Sequence, residues 1–206
     1  MNQLENIFNV FSTLASKLAR NVLIALITIV TVILMLFTDG QKTDIYEVIA
    51  EITEVIEEKK KPCKFNEESG IWEMNPDAWK EVSNDVLATV YNAVPKQCNG
   101  DPAHTASMFA LDRTDVLSHR IIAMERTFMD KLGLVYGDVV YIEGTEKWDG
   151  PWQIQDTMNK RFAGKHKIDI LVPNNIKKGL WNDVKISIPT KEEYKEYTKS
   201  LMRPSV

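Results

Sequence analysis

Lys167-Ile168-Asp169-Ile170-Leu171-Val172 is the stretch on which the fold of the polar part of this chain turns. Ile168, Ile170 and Val172 recur with period two, so they share one face of a strand while Lys167, Asp169 and Leu171 share the other. An apolar face of this kind has to be covered, and one strand cannot cover itself. Reading outward, similar short runs bounded by Gly, Pro, Asn and Asp lie at 88–94, 119–124, 138–143, 152–156 and 184–188. About six short strands predict a mainly β domain closed into a small barrel, because closure removes the unpaired edges that an open sheet would leave. The pattern also predicts single short helices at 127–132 and 176–181, and a polar C-terminal helix at 191–201 with Thr190 as its N-cap.

The same alternation positions the carboxylates. Asp169 projects away from the apolar face and can look into a groove, while Asp156 shares parity with Trp152 and Ile154, at a strand end close to the apolar interior. A partly buried carboxylate has a raised pKa unless hydrogen bonds or a cation hold it ionised, and Lys160, Arg161 and Lys167 are the local candidates for that cation. His104, His119 and His166 with Cys98 do not follow zinc-ligand spacing, and no metal or cofactor is expected. Gly133, Gly137 and Gly144 read as turns rather than a phosphate loop, and nothing like a nucleophile elbow surrounds Ser107 or Ser118.

The N-terminal part is different in kind. Val22 to Phe37 reads VLIALITIVTVILMLF, interrupted only by Thr28 and Thr31. That length and uniformity predict a transmembrane helix over 22–38. Lys17 and Arg20 precede it while Asp39, Asp44 and Glu47 follow it, which puts the N-terminus in the cytoplasm and the remainder outside, a compartment that is the periplasm if the cell is Gram-negative. No small-x-small cleavage site follows the run, so an uncleaved, single-pass anchor is expected. Leu4, Ile7, Phe8, Phe11, Leu14 and Leu18 make 1–21 an amphipathic helix, either interfacial or continuous with the span. Ile45, Ile49, Ile52 and Ile56 make 39–61 a helical stalk; either segment offers a face for self-association. Residues 62–87 read as a linker and packing segment, 88–189 as the barrel, and 190–206 as a C-terminal helix and tail. With 206 residues and a net charge of −4, the chain has room for one compact domain plus something smaller, and it lacks the concentration of Lys and Arg that nucleic acid requires.

Four ordered motifs carry a resemblance: Tyr141-Ile142-Glu143-Gly144, Gly150-Pro151-Trp152-Gln153-Ile154-Gln155-Asp156-Thr157-Met158, Arg161-Phe162-Ala163-Gly164 and Ile168-Asp169-Ile170-Leu171. With Ala88 to Pro95, Thr105-Ala106-Ser107 and His119 to Ala123 upstream, the series resembles the three-aspartate (3D) domain and its RlpA-like relatives, over roughly half of the chain. The resemblance implies a six-stranded double-psi β-barrel that binds or acts on the glycan strands of peptidoglycan. Its membrane-bound lytic transglycosylase branch implies Asp169 as catalytic acid/base and Asp156 as the second motif aspartate shaping the site. Glu125 stands where the first motif aspartate would be. Met158-Asn159 replaces a frequent glycine pair, and Met108 replaces the Gly that commonly follows Thr-Ala-Ser. Thr105 and Arg161 stand in the motifs as glycan contacts, and Tyr91, Trp148 and Trp152 offer ring surface for sugars or for the core.

The expectation is therefore an anchored, extracytoplasmic barrel engaging cell-wall glycan, with cleavage as a lytic transglycosylase as the sharper form. The alternative is a non-catalytic glycan-binding or structural envelope or virion module. In an oxidising compartment, Cys63 and Cys98 form an even pair of loop cysteines, and a disulfide between them is expected.

Overall fold

A computed structural model describes residues 61–98 and 100–202, with Ala50, Thr53 and Glu54, which are helical. The amphipathic helix expected at 1–21, the span at 22–38 and, apart from Ala50, Thr53, Glu54 and Lys61, the stalk expected at 39–61 lie outside the described residues. Among the described residues no helix is long and apolar enough to cross a membrane. The chain divides into two units, Met1–Glu58 and Lys59–Val206, and every element below belongs to the second.

β1 (Cys63–Asn66) and β2 (Ile71–Met74) form an antiparallel hairpin. The strands β3 (Trp79–Tyr91), β4 (Ile121–Met124), β5 (Val139–Glu143), β6 (Gly150–Thr157), β7 (Lys167–Leu171) and β8 (Leu180–Pro189) close into a six-stranded barrel in the order β3-β7-β4-β6-β5-β8. Two α-helices accompany it, α1 (Arg126–Lys131) and α2 (Glu192–Leu201). β3 and β7 pair in parallel, as do β4 and β6, and the remaining neighbours are antiparallel. Exchanging β3, β4 and β5 for β6, β7 and β8 reproduces the same order, so the barrel consists of two interleaved three-strand halves.

Alternation decides what fills it. Val86 and Ala88, Ile122 and Met124, Val140 and Ile142, Trp152 and Ile154, Ile168 and Ile170, and Val184 and Ile186 form one interior cluster, each of them fully buried. Burying a side chain of this size contributes on the order of 1.5–3 kcal/mol. The closed barrel and the mainly β class expected from the sequence are thus observed. Two expectations about elements are corrected. The first barrel strand starts at Trp79, not 88, because three register shifts against β8 between Glu81 and Ala88 break the period-two pattern that would have revealed it. The helix expected at 176–181 is absent. Asn92 donates from Nδ2 to the carbonyls of Val172, Pro173 and Ile176 at 3.1, 3.0 and 2.9 Å, holding that segment as a loop, and Leu180 and Trp181 already belong to β8. Thr190 does not cap α2: its hydroxyl donates to the carbonyls of Asp77 and Ala78, and Lys191 occupies the N-cap without a side-chain bond.

The outer wall carries two further clusters. Outside β5, Val139 and Tyr141 pack with Cys63, Ala78, Trp79 and Met202, under the hairpin and the end of α2. Outside β3, β7 and β4, Tyr91, Leu171, Ile121 and Ala123 pack with Ala93, Val116 and Met158, joined by Cys98, Phe109, Leu111 and Phe162. The two cysteines belong to different clusters, and both are free thiols. The expected disulfide is therefore absent, because β1 docks Cys63 on β5 while the loop after β3 carries Cys98 to another sector of the wall.

Candidate functional site

Ala123 is the hinge point of the site's geometry. β4 runs between β6 and β7, and its Ala123 stands opposite Asp156 on one side and Asp169 on the other. Two strand spacings separate the two aspartate backbones, about 9–10 Å. The methyl side chain between them leaves room above the wall, and Asp156, Asp169, Tyr91 and Ala123 all line a cleft of about 890 Å³.

Asp169 faces outward, as its strand's alternation requires. Asp156 reaches the same side by another route. The β4–β6 register matches Ile122 with Ile154 but Ala123 with Asp156, so Gln155 is an extra residue, a β-bulge. The bulge reverses parity, and Asp156 leaves the interior side that Trp152 and Ile154 occupy. The loop after β3 pins this irregularity: the Ser107 N–H donates to the Gln155 carbonyl at 3.1 Å and its hydroxyl to Gln155 Oε1 at 2.5 Å.

The two carboxylates are held differently. Asp156 Oδ1 accepts from the N–H groups of Ala106 at 3.1 Å and Thr157 at 2.8 Å, and Oδ2 accepts from the Tyr91 hydroxyl at 3.1 Å. Burial pushes Asp156 above the usual carboxylate range; those three donors oppose the rise and the charge of Asp169 adds to it. Asp169 Oδ1 accepts from the Thr89 hydroxyl and, at 2.9 Å, from the Lys167 ammonium, which also donates to Thr89 Oγ1 at 2.8 Å. Both bonds fall on Oδ1, so Oδ2 has no hydrogen-bond partner among the described residues. Burial pushes Asp169 up as well, and the charges of Lys167 and Arg161 reduce the rise without cancelling it. Both side chains line the cleft, but Asp169 stays 20% exposed against 8% for Lys167, so the acid is the more accessible of the pair.

The other expected site residues divide. Arg161 lines the cleft and is exposed. Thr105 lines it too, but its oxygen is engaged with Ser107 Oγ at 3.0 Å and the Phe109 N–H at 3.2 Å, which makes it a brace for the loop. Tyr91 is 8% exposed and contributes its hydroxyl, not a ring face. Trp152 is corrected outright: it is fully buried inside the barrel, donates from Nε1 to the Trp148 carbonyl at 2.7 Å, and has no surface for a sugar. Trp148 is buried beside it.

Glu125 is also corrected. It is the N-cap of α1, accepting from the N–H groups of Thr127 and Phe128 at 2.9 Å each and from the Thr127 hydroxyl at 2.5 Å. Burial pushes its carboxyl up, but these bonds outweigh burial and hold it below the usual range. It does not line the cleft.

Met108, where the resemblance calls for Gly, has φ 67, a left-handed conformation that Gly adopts without steric cost. Sequence reasoning missed Thr89 and the half-buried Phe162. Thr89 was signalled by its parity with Tyr91, two residues on along the same strand face.

Asp169 Oδ2 thus has the attributes of a proton donor and acceptor: an open oxygen, a raised pKa, and a cation beside the other oxygen to steady the ionised form. Among the described residues no group of three or more His, Cys, Asp or Glu could hold a metal ion. Comparison with family models, with curated proteins and with solved structures yields no match to this chain.

Proposed function

We propose that this chain is a membrane-anchored, extracytoplasmic protein whose barrel, of the double-psi type, engages the glycan strands of peptidoglycan and cleaves them as a lytic transglycosylase. The observation that carries the reading is the cleft in which Asp169 presents an open, partly exposed oxygen two strands from Asp156. The interleaved halves and the two parallel pairs support the double-psi topology. The apolar run Val22 to Phe37, with cations before it and acids after it, supports the anchor in the bilayer and the outward domain.

Protonated Asp169 gives its proton from Oδ2 to the glycosidic oxygen as the bond to the anomeric carbon breaks. The resulting carboxylate then removes the proton of the same sugar's 6-hydroxyl, whose oxygen closes on the anomeric carbon to form an anhydro end. Asp169 finishes protonated, and no water has to be activated. This differs from schemes in which a second carboxylate serves as nucleophile or activates water. Lys167 and Thr89 stabilise the carboxylate between the two transfers, while Asp156 shapes the opposite wall.

One observation favours a second reading, a glycan-binding module without chemistry. Asp169 is already paired with a buried lysine, and the residue at the first motif position, Glu125, caps a helix outside the cleft. Incubating purified full-length protein with peptidoglycan, with mass analysis for anhydro-muramyl ends, separates the two. Anhydro ends that disappear in Asp169→Asn support the transglycosylase; binding without such ends leaves the binding module.

A further inference from the structure

We propose that the Phe162 corner of the cleft is an anion subsite that takes a carboxylate carried on the sugar chain; this deepens the glycan reading above and rests on it. Three cations converge on one ring. The Lys167 ammonium lies 4.5 Å from the Phe162 centroid, the Arg161 guanidinium 4.8 Å and the Lys165 ammonium 5.9 Å. Exposed lysine and arginine side chains are long enough to spread into water, and like charges gain by doing so. Their gathering at a half-buried ring instead focuses positive potential at one end of the cleft. Lys160 and Arg126 line the same cleft. Of these five, Lys167 alone has a carboxylate within ion-pair distance among the described residues.

The contrast with the whole chain is one of sign. The chain carries a net charge of −4, yet the cleft lining holds Lys96, Arg126, Lys160, Arg161 and Lys167 against Asp101, Asp156 and Asp169. Asp101 is already paired with His104 at 3.0 Å. Asp156 accepts from three donors and Asp169 is paired with Lys167, so Lys96, Arg126, Lys160 and Arg161 keep no carboxylate partner within ion-pair distance among the described residues. Arg161 presents a planar fork suited to a carboxylate, and the Phe162 ring supplies an apolar floor beneath it. Because Lys167 touches both that ring and Asp169, the subsite adjoins the reacting carboxylate.

On a peptidoglycan strand the carboxylate has two sources, the lactyl group of a muramyl sugar stripped of peptide and the acidic groups of an attached peptide. Full-length protein in detergent is titrated, at low and at high salt, with neutral chitooligosaccharide, with peptide-free glycan strands and with peptide-bearing muropeptides. The expected result is binding of one or both anionic sugars roughly tenfold tighter than of the neutral one, the size of one charge-assisted hydrogen bond, with the advantage shrinking in high salt. The anionic arm that shows the advantage identifies the source. The double variant Arg161→Gln with Lys165→Gln should bring the ratio close to one. The charge-keeping variant Arg161→Lys with Lys165→Arg should restore most of it; both positions are exposed, and unchanged thermal unfolding verifies the fold. An anionic-to-neutral ratio that the double variant leaves unchanged, or equal binding of all three sugars at both salts, overturns the subsite while the glycan reading stands. Absence of binding to every sugar overturns both.

Discussion

Two sectors of one barrel wall obey the same strand alternation and end with opposite chemistry. Outside β5 the wall is covered. Tyr141 donates to the Trp72 carbonyl at 2.8 Å, Trp79 Nε1 donates to the Pro62 carbonyl at 2.7 Å, and the buried carboxylate there, Asp138, is paired with Lys195 at 3.1 Å and Lys199 at 3.4 Å from α2. Outside β7 and β4 the cover is partial: the loop after β3 packs its apolar residues over Tyr91, Ile121 and Leu171 and reaches Asp156 through the Ala106 N–H, but leaves Asp169 Oδ2 without a hydrogen-bond partner among the described residues. A carboxylate is thus enclosed or open to a cleft according to what lies over it, not according to its strand position. Asp138 and Glu125 have their oxygens engaged, whereas Asp169 keeps one in reserve.

The sharpest way to break this contrast is Asp169→Asn. The change is nearly isosteric and removes only the titrating group, so the release of anhydro ends should fall about 10²- to 10⁴-fold, as for loss of a general acid. Thermal unfolding in parallel tests whether the loss is chemical, and full activity in the variant would return Asp169 to a structural role. On the covered sector the corresponding change is Trp79→Ala. It should cost about 3–5 kcal/mol of stability in urea unfolding, because the ring is 6% exposed and stacks edge-on against Tyr141 at 5.3 Å. A cost below about 1 kcal/mol would mean that the hairpin and α2 are not part of the folding unit.

Acid titration sharpens the comparison between capping and cleft carboxylates, because the two have opposite signs. Glu125 is held below its ordinary value of 4.5, so its stabilisation is present above that pH and is lost as pH falls through the lowered value. Glu125→Gln should remove that acid-side loss, with an overall cost of about 1 kcal/mol for the weakened cap. Asp156 is raised above 3.8, so its contribution is fullest below 3.8 and is lost as pH rises through the raised value. Asp156→Asn should flatten that decline, since an amide can still accept from the Ala106 and Thr157 N–H groups. Urea midpoints across an acid-to-neutral series check both slopes, and slopes of the same sign in the two variants would contradict the assignment.

The smallest effect concerns the thiols, one in each sector. Burial pushes Cys63 up to about 12, only partly offset by Arg120, and Cys98 is raised by burial as well but sits half-buried at the cleft. Alkylation of native protein without prior reduction should therefore modify Cys98 first, and Cys63 only on unfolding. Peptide mapping reads the order, and failure of both to react before reduction would restore the disulfide.

Much of the barrel was legible from local pattern, and its limits follow from the same physics. The alternation of Ile168, Ile170 and Val172 is a property of one strand, so it sufficed to turn Asp169 outward and to foresee a closed wall of six strands. Where a strand departs from period two, the pattern fails. The register shifts of β3 concealed its first nine residues, and the bulge at Gln155 reversed the side on which Asp156 emerges. Neither has a local signature, because a bulge is created by pairing with a neighbouring strand that closure alone brings alongside. The acidic character of Glu125 was plain, but its role as a cap depends on the chain turning into α1 directly behind it. Composition and spacing determined the six barrel strands, though not the β1–β2 hairpin, and also the outward Asp169 and the cations near it. Only the tertiary structure decided that Ala123 separates the two aspartates, that Trp152 is interior, that the cysteines lie in different sectors, and that three cations meet on Phe162. The first three are set by contacts between segments far apart in the chain, by which face of the wall each loop and hairpin comes to cover, and the fourth by how the short stretch 160–167 turns about the Phe162 ring.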